Sequence, residues 1–180
     1  MEADEVVRIV ELLESAGIPS WIDGGWGVDA LLEKQTRSHS DLDLVIPRES
    51  ADHAQKALQT LGYAYDPTVE PGLPARLVLR AKTGCQIDLH PIVIDELGNG
   101  WQEIQAGAWG LYPADGLGGK GAIAGQPVKC LTPDLQLLHH LCYVWNEKDR
   151  LDMAQLAARF GLQLPPESES EEAPSLGMPQ

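Results

Sequence analysis

Two carboxylates stand two residues apart in the run Asp41-Leu42-Asp43-Leu44-Val45-Ile46. In a strand, residues two apart share a face and lie roughly 6.5–7 Å apart along the chain. The pattern predicts Leu42, Leu44 and Ile46 on one face and both acids on the other. Neighbouring carboxylates repel unless a cation sits between them. Mg²⁺ suits such a pair, because it takes oxygen ligands at about 2.0–2.1 Å and keeps positions for phosphate and water. A third acid, Asp88, stands in Gln86-Ile87-Asp88-Leu89-His90, where alternation turns Ile87 and Leu89 inward and Asp88 outward. If the two strands are neighbours, at about 4.8 Å, three carboxylates converge. Such a set can hold two metal ions about 3.5–4 Å apart, the arrangement that stabilises attacking and leaving oxygens in phosphoryl displacement. Upstream, Gly24-Gly25 precedes a helix start, where free N–H groups and the helix dipole favour phosphate. Each motif alone has a blander reading, a solvated strand face or an ordinary turn. Their order and spacing point to chemistry.

These residues need elements to hold them. Glu2 to Ala16 carries Val6, Ile9, Val10 and Leu13 at helical spacing and is stopped by Gly17 and Pro19. Trp21 to Asp23 reads as a short strand, Gly24-Gly25 as a turn and Trp26 to Glu33 as a helix. Ser50 is placed to cap a helix running to Leu61, with Gly62 as its stop. Arg76 to Ala81 and Gln86 to Ile94 read as paired strands around Lys82-Thr83-Gly84. Residues 96–124 are Gly-rich and read as loops with one hairpin. Pro127 to Leu131 is a further strand. Thr132-Pro133 opens a helix striped by Leu135, Leu138, Cys142 and Trp145. A last helix spans about Asp149 to Phe160, with Met153, Leu156, Ala157 and Phe160 inward. From Pro165 the composition is Pro, Glu and Ser, a tail too polar to order itself. The expected division is residues 1–164 as one domain, with its C-terminal helices from about 132, and residues 165–180 as a disordered acidic tail.

The formal charge of −14 excludes several partners. Binding a nucleic-acid backbone depends on Lys and Arg, so no nucleic-acid partner is expected, whereas a cationic small molecule is tolerated or attracted. The sequence shows no run approaching the roughly 20 apolar residues of a membrane span and no signal peptide at its acidic start, so a cytoplasmic protein without membrane contact is expected. Cys85, Cys130 and Cys142 have no metal-ligand spacing and fit reduced thiols. His139-His140 beside an apolar stripe read as buried, hydrogen-bonded histidines. Trp101, Trp109 and Tyr112 are placed either to stack on a sugar or base or to pack under their loop.

Taken together, Ile22-Asp23-Gly24-Gly25-Trp26-Gly27-Val28-Asp29-Ala30-Leu31-Leu32, Gln35-Thr36-Arg37, His39, Asp41-Leu42-Asp43, Ile87-Asp88-Leu89-His90-Pro91 and Gly125-Gln126-Pro127-Val128-Lys129-Cys130 resemble the nucleotidyltransferase superfamily. Within it the sequence is most similar to the aminoglycoside 2″-nucleotidyltransferases and the lincosamide nucleotidyltransferases. The resemblance implies an α+β, polymerase β-like fold: a small mixed sheet flanked by helices, with C-terminal helices. It implies transfer of AMP from ATP, or of another nucleoside monophosphate, to a hydroxyl of an aminoglycoside or lincosamide. Gly24 and Gly25 would hold the triphosphate, Asp41 and Asp43 would bind metal, and Asp88 would be general base, metal ligand or both. Two Mg²⁺ ions are implied. Arg37 and His39 are candidate phosphate contacts, with a surface salt bridge as the competing reading. Glu147-Lys148-Asp149-Arg150-Leu151-Asp152 resembles a Lys-Asp-x-x-Asp pattern in which Lys148 reaches the nucleotide; Asp149 as a cap and Asp152 paired with a local Arg is the competing reading. The chain is shorter than many antibiotic nucleotidyltransferases, which leaves room for acceptor contacts from a homodimer partner. The alternatives are a toxin-type minimal nucleotidyltransferase that modifies protein or RNA, and a non-catalytic nucleotide-binding module.

Overall fold

Val6, Ile9, Val10 and Leu13 recur at helical spacing, and all four are buried along one side of α1 (Ala3–Ser15). The computed structural model describes residues 1–69 and 74–165. The expected acidic tail therefore lies, from residue 166 on, outside the described residues. After α1 come β1 (Trp21–Asp23), α2 (Gly24–Leu32), β2 (Asp41–Pro47), α3 (Ala51–Gln59), β3 (Ala64–Tyr65), β4 (Leu77–Arg80) and β5 (Gln86–Ile94). Then follow β6 (Gly100–Gln105), β7 (Ala108–Tyr112), β8 (Gly119–Ile123), β9 (Gln126–Cys130), α4 (Pro133–His140) and α5 (Glu147–Phe160).

The strands form one mixed sheet in the order β3-β4-β5-β2-β1-β9-β8, with the β6–β7 hairpin paired to the far end of β5. β2 runs parallel to β5 and antiparallel to β1. Alternation along the central strands divides the molecule into two faces. Ile22, Leu42, Leu44, Ile46, Ile87 and Leu89 join the side chains of α1, α2, α3 and α5 in the main core. Val45, Ile92, Tyr112, Leu131 and Leu135 form a smaller cluster on the opposite face. That second face also carries Asp23, Asp41, Asp43 and Asp88. No helix among the described residues is long and apolar enough to cross a membrane. All three cysteines are free thiols.

Several local expectations need correction. Ser50 makes no side-chain cap; it ends a 3-10 turn over Arg48–Ser50 that leads into α3, and α3 stops at Gln59. Residues 96–124 hold three strands rather than one hairpin among loops. The glycines that made this segment look irregular are needed for close packing: a Cβ on Gly121 would lie 2.1 Å from the Ala30 carbonyl oxygen of α2. Ala124 (φ 50°) and Gly125 (φ 79°) form the tight turn of the β8–β9 hairpin, a turn with two left-handed residues. On α4 the buried side chains are Leu135, Gln136 and His140, while Leu138 is exposed, as is Cys142 beyond the helix end. On α5, Met153 and Leu156 are buried and Phe160 is exposed.

Candidate functional site

Strand register brings the acids together. Asp23 of β1 pairs with Asp43 of β2, and Asp43 pairs with Asp88 of β5, so one row of carboxylates crosses three adjacent strands. Asp41 stands two residues before Asp43, and it is exposed while Asp43 is half-buried. Asp23 and Asp88 are buried. The acids border an open cavity of about 360 Å³ whose lining includes Asp23, Gly24, Gly25, Arg37, Asp41, Asp43, His90, His139 and Lys148. That volume lies in the range of small-molecule sites.

The Gly-Gly pair is the first turn of α2 rather than a separate turn. Asp23 caps it, accepting from the Gly24 N–H at 2.7 Å. Gly24 has φ 60°, and a Cβ there would lie 2.5 Å from Asp43 Oδ2. Both strain and contact therefore exclude a side chain. Gly24→Ala should destabilise the protein by at least about 1–2 kcal/mol, the strain of a left-handed residue, before the displacement of Asp43 is counted. Thermal melting and turnover should fall together; a variant with unchanged melting temperature and turnover would show that the turn tolerates a side chain.

Each acid has its own partner. Asp88 accepts from Gln86 Nε2 at 2.6 Å and from Arg76 Nη1 at 3.1 Å. Burial and the nearby Asp43 charge nonetheless hold its carboxyl above the usual carboxylate range. Asp43 Oδ1 lies 3.1 Å from His90 Nε2. Burial disfavours the His90 imidazolium, but the Asp43 hydrogen bond and the charges of Asp43, Asp23 and Asp88 outweigh it and raise the His90 pKa. For Asp23, burial works upward, and its contact with His139 Nδ1 at 3.3 Å, with the His139 and His90 charges, carries the pKa below the usual value.

A sequence model of the aminoglycoside-2″-adenylyltransferase family matches residues 5–156 of the chain. The chain belongs to that family. It is 31% identical to a lincosamide resistance protein of Staphylococcus haemolyticus, over 84% of this chain and 92% of the relative. It is 31% identical to a 2″-aminoglycoside nucleotidyltransferase of Klebsiella pneumoniae, over 72% of this chain and 69% of the relative. Among solved structures it is similar to the lincomycin-bound lincosamide antibiotic adenylyltransferase LnuA, with TM-score 0.76 and 28% identity over 86% of this chain and 96% of that one. The aminoglycoside enzyme ANT(2″)-Ia in complex with adenylyl-2″-tobramycin shares the fold, with TM-score 0.68 and 21% identity over 87% of this chain and 88% of that one. The protein is thus a nucleotidyltransferase of the antibiotic-resistance group, with the α+β fold the sequence implied.

In this adenylyltransferase the expected residues converge unevenly. Gly24, Gly25, Arg37, Asp41, Asp43 and Lys148 all line the cavity, whereas Asp88 lies beside it in register with Asp43. Arg37 also makes the salt bridge that competed with a phosphate role, but the pair is not a surface one. Its guanidinium holds the buried Asp152 of α5 through Nη2 at 2.6 Å. His39 is buried behind the cavity; its Nε2 lies 2.5 Å from Asp29 Oδ2, and its ring rests 4.6 Å from that of Trp26. Lys148 stands in the first turn of α5, which Asn146 caps, while the Asp149 carboxylate accepts the Asn146 N–H in return.

The sequence reading gave no role to several residues of the lining, among them Asp23, His90, Tyr143 and Asn146. Asp23 was visible as an acid directly before the Gly-Gly pair, and Asn146 as a capping residue before Lys148. His140 is buried as expected, with Nδ1 2.8 Å from the Gln136 carbonyl, but it also borders the cavity. His139 instead meets Asp23 and stands edge-on to Tyr112 at 4.7 Å. Tyr112 is buried, while Trp101 and Trp109 are exposed on the β6–β7 hairpin.

Among the described residues, no three His, Cys, Asp or Glu side chains are grouped closely enough to hold a metal ion as they stand. This donor set still fits Mg²⁺. That ion is usually bound by one or two carboxylates plus substrate phosphates and water, and Asp41 and Asp43 present two such carboxylates to the cavity.

Proposed function

We propose that this protein transfers AMP from ATP to a hydroxyl of a lincosamide, releasing pyrophosphate. The match to a lincosamide resistance protein over nearly the whole of both chains carries the choice of acceptor. Asp41 and Asp43 would hold Mg²⁺, and Gly24, Gly25, Arg37 and Lys148 would hold the triphosphate. The ion would neutralise phosphate charge as it develops in the displacement. Asp88, in register with Asp43, would be the carboxylate added for a second ion. In the first turn of α2 the Gly24 N–H is held by Asp23, so the Gly25 N–H is the one offered to phosphate oxygens. Arg37 and Lys148 supply the lysine and arginine charge of the cavity lining.

The acceptor hydroxyl gives its proton to a carboxylate and its oxygen attacks the α-phosphorus, while the bond to the pyrophosphate oxygen breaks. Asp88 is the candidate base, because it stands beside Asp43 and its pKa is raised. His39, being buried against Asp29 and Trp26, serves better as a support under the Gly25 turn than as a phosphate contact. A Cβ on Gly25 would lie 2.6 Å from His39 Nδ1 and 2.5 Å from Arg37 Nη2.

The acidic lining favours a second acceptor class, the polycationic aminoglycosides, since several amines gain more from such a cleft than one. Pyrophosphate release by purified protein with ATP and Mg²⁺ distinguishes the two. Release is expected with lincosamides. Release with aminoglycosides alone would transfer the assignment, and an affinity that weakens with salt would then be expected. No release with either class would remove the antibiotic reading.

A further inference from the structure

Gln102 lies on β6, in the segment that read as irregular, and none of the roles above falls to it. Its amide links the hairpin to the carboxylate row. Nε2 donates to the Ala75 carbonyl at 2.7 Å and lies 3.3 Å from His90 Nδ1. Oε1 accepts from the Tyr112 hydroxyl at 2.8 Å. A backbone carbonyl can only accept, so the end of the amide facing Ala75 is nitrogen and the group cannot be turned round. That NH₂ has a second hydrogen, and with Nε2 3.3 Å from His90 Nδ1 the amide can only donate there. Nδ1 then accepts, which leaves the N–H of the neutral ring on Nε2, 3.1 Å from Asp43 Oδ1. The other Asp43 oxygen, Oδ2, faces the Gly24 turn, where a Cβ would lie 2.5 Å from it.

We propose that Gln102 is a positioning residue for nucleotidyl transfer. It holds the His90 ring so that His90 engages Oδ1 of Asp43 and leaves Oδ2 for the cation on the triphosphate side. The proposal rests on the reading of Asp43 as a metal ligand and extends it by one layer, through His90 to a residue on a separate hairpin. Outer partners fix the orientation of ligating carboxylates, and losing one typically lowers metal affinity or activity about 10–100-fold.

The test uses the full chain and Gln102→Met, which keeps an unbranched side chain and removes the amide. Nitrogen NMR of the His90 ring is recorded at pH 8 without divalent ions. The wild type should show a protonated Nε2 and an Nδ1 that accepts a hydrogen bond; in the variant Nδ1 should move to the position of a nitrogen that accepts none. In turnover, the Mg²⁺ concentration for half-maximal rate should rise about 10–100-fold. kcat should largely recover at saturating Mg²⁺. A purely structural role would lower melting temperature and kcat without moving the Mg²⁺ dependence, and that outcome overturns the proposal. So does a wild-type spectrum with the neutral ring protonated at Nδ1, a result that needs no variant to fold. Wild-type turnover without any divalent ion would remove the metal reading and the proposal with it, and the metal-free spectrum would still report whether Gln102 and His90 touch.

Discussion

Asp43→Asn should lower kcat by about 10²–10³-fold while the protein remains folded, the scale on which removal of a single charge-stabilising group acts. The expectation comes from where Asp43 stands. It is the middle member of the row Asp23-Asp43-Asp88, and its Oδ2 lies against the Gly24 turn on which a triphosphate would rest. Asn keeps an oxygen there but loses the charge that binds Mg²⁺. The fold should survive, because the strand is anchored by Leu42, Leu44, Val45 and Ile46, all fully buried. The amide oxygen of Asn can still accept from His90. Asp41→Asn should be nearly as damaging to turnover and more neutral to stability, since Asp41 is exposed and its recorded partner is the neighbouring Ser40 hydroxyl at 3.4 Å. Steady-state turnover with lincosamide and Mg-ATP, run beside thermal melting, separates the two effects. Turnover above about a tenth of wild type in either variant would contradict the metal assignment, given the size of single-group losses.

Why these acids could be found from sequence, and others could not, follows from the kind of signal each carries. Asp41, Asp43 and Asp88 sit in strands whose aliphatic residues alternate, so their face was legible without knowing the partner strands. That β5 lies beside β2 was only a condition in the sequence reading, and the parallel register from Asp41–Gln86 to Pro47–Ile92 meets it. Asp88 was expected to face out, yet it is buried, because Arg76 and Gln86 cover it. Alternation puts Gln86 on the same face, but the reach of Arg76 from outside the strand has no periodicity to reveal it. Residues 96–124 failed for a different reason. Gly119 and Gly121 are small because β8 runs against Cys130–Leu131 and α2, and composition alone cannot tell such glycines from those of a loop. Gln102 and Tyr112 were hidden in the same segment. The pairing of Arg37 with Asp152 joins positions 115 residues apart. Local reading offered Asp152 a nearby Arg instead, since only side chains three or four apart on a helix can be paired from sequence.

That same pair supplies the second large effect. Arg37→Met should destabilise the protein by about 3–5 kcal/mol, the usual result of leaving one member of a buried ion pair alone. The two partners are unequal. The Asp152 side chain is 2% exposed and that of Arg37 is 26% exposed. Without Arg37, the buried Asp152 carboxylate loses contacts from Nε at 3.1 Å to both oxygens and from Nη2 at 2.6 Å. Without the Asp152 charge, Arg37 can turn toward the cavity and be solvated. Asp152→Asn should therefore lose less, about 1.5–3 kcal/mol, the value of a hydrogen bond to a charged group. It should act instead on the nucleotide: a released Arg37 holds the triphosphate less well, so the KM for ATP should rise more than kcat falls. The double variant Arg37→Met/Asp152→Asn should be more stable than the sum of the single losses, since it no longer buries an unpaired charge. Urea denaturation of all three variants, with KM and kcat for ATP, tests the argument. Equal losses from the two single variants, or additive losses in the double, would show that the pair is not the buried, coupled unit its geometry describes.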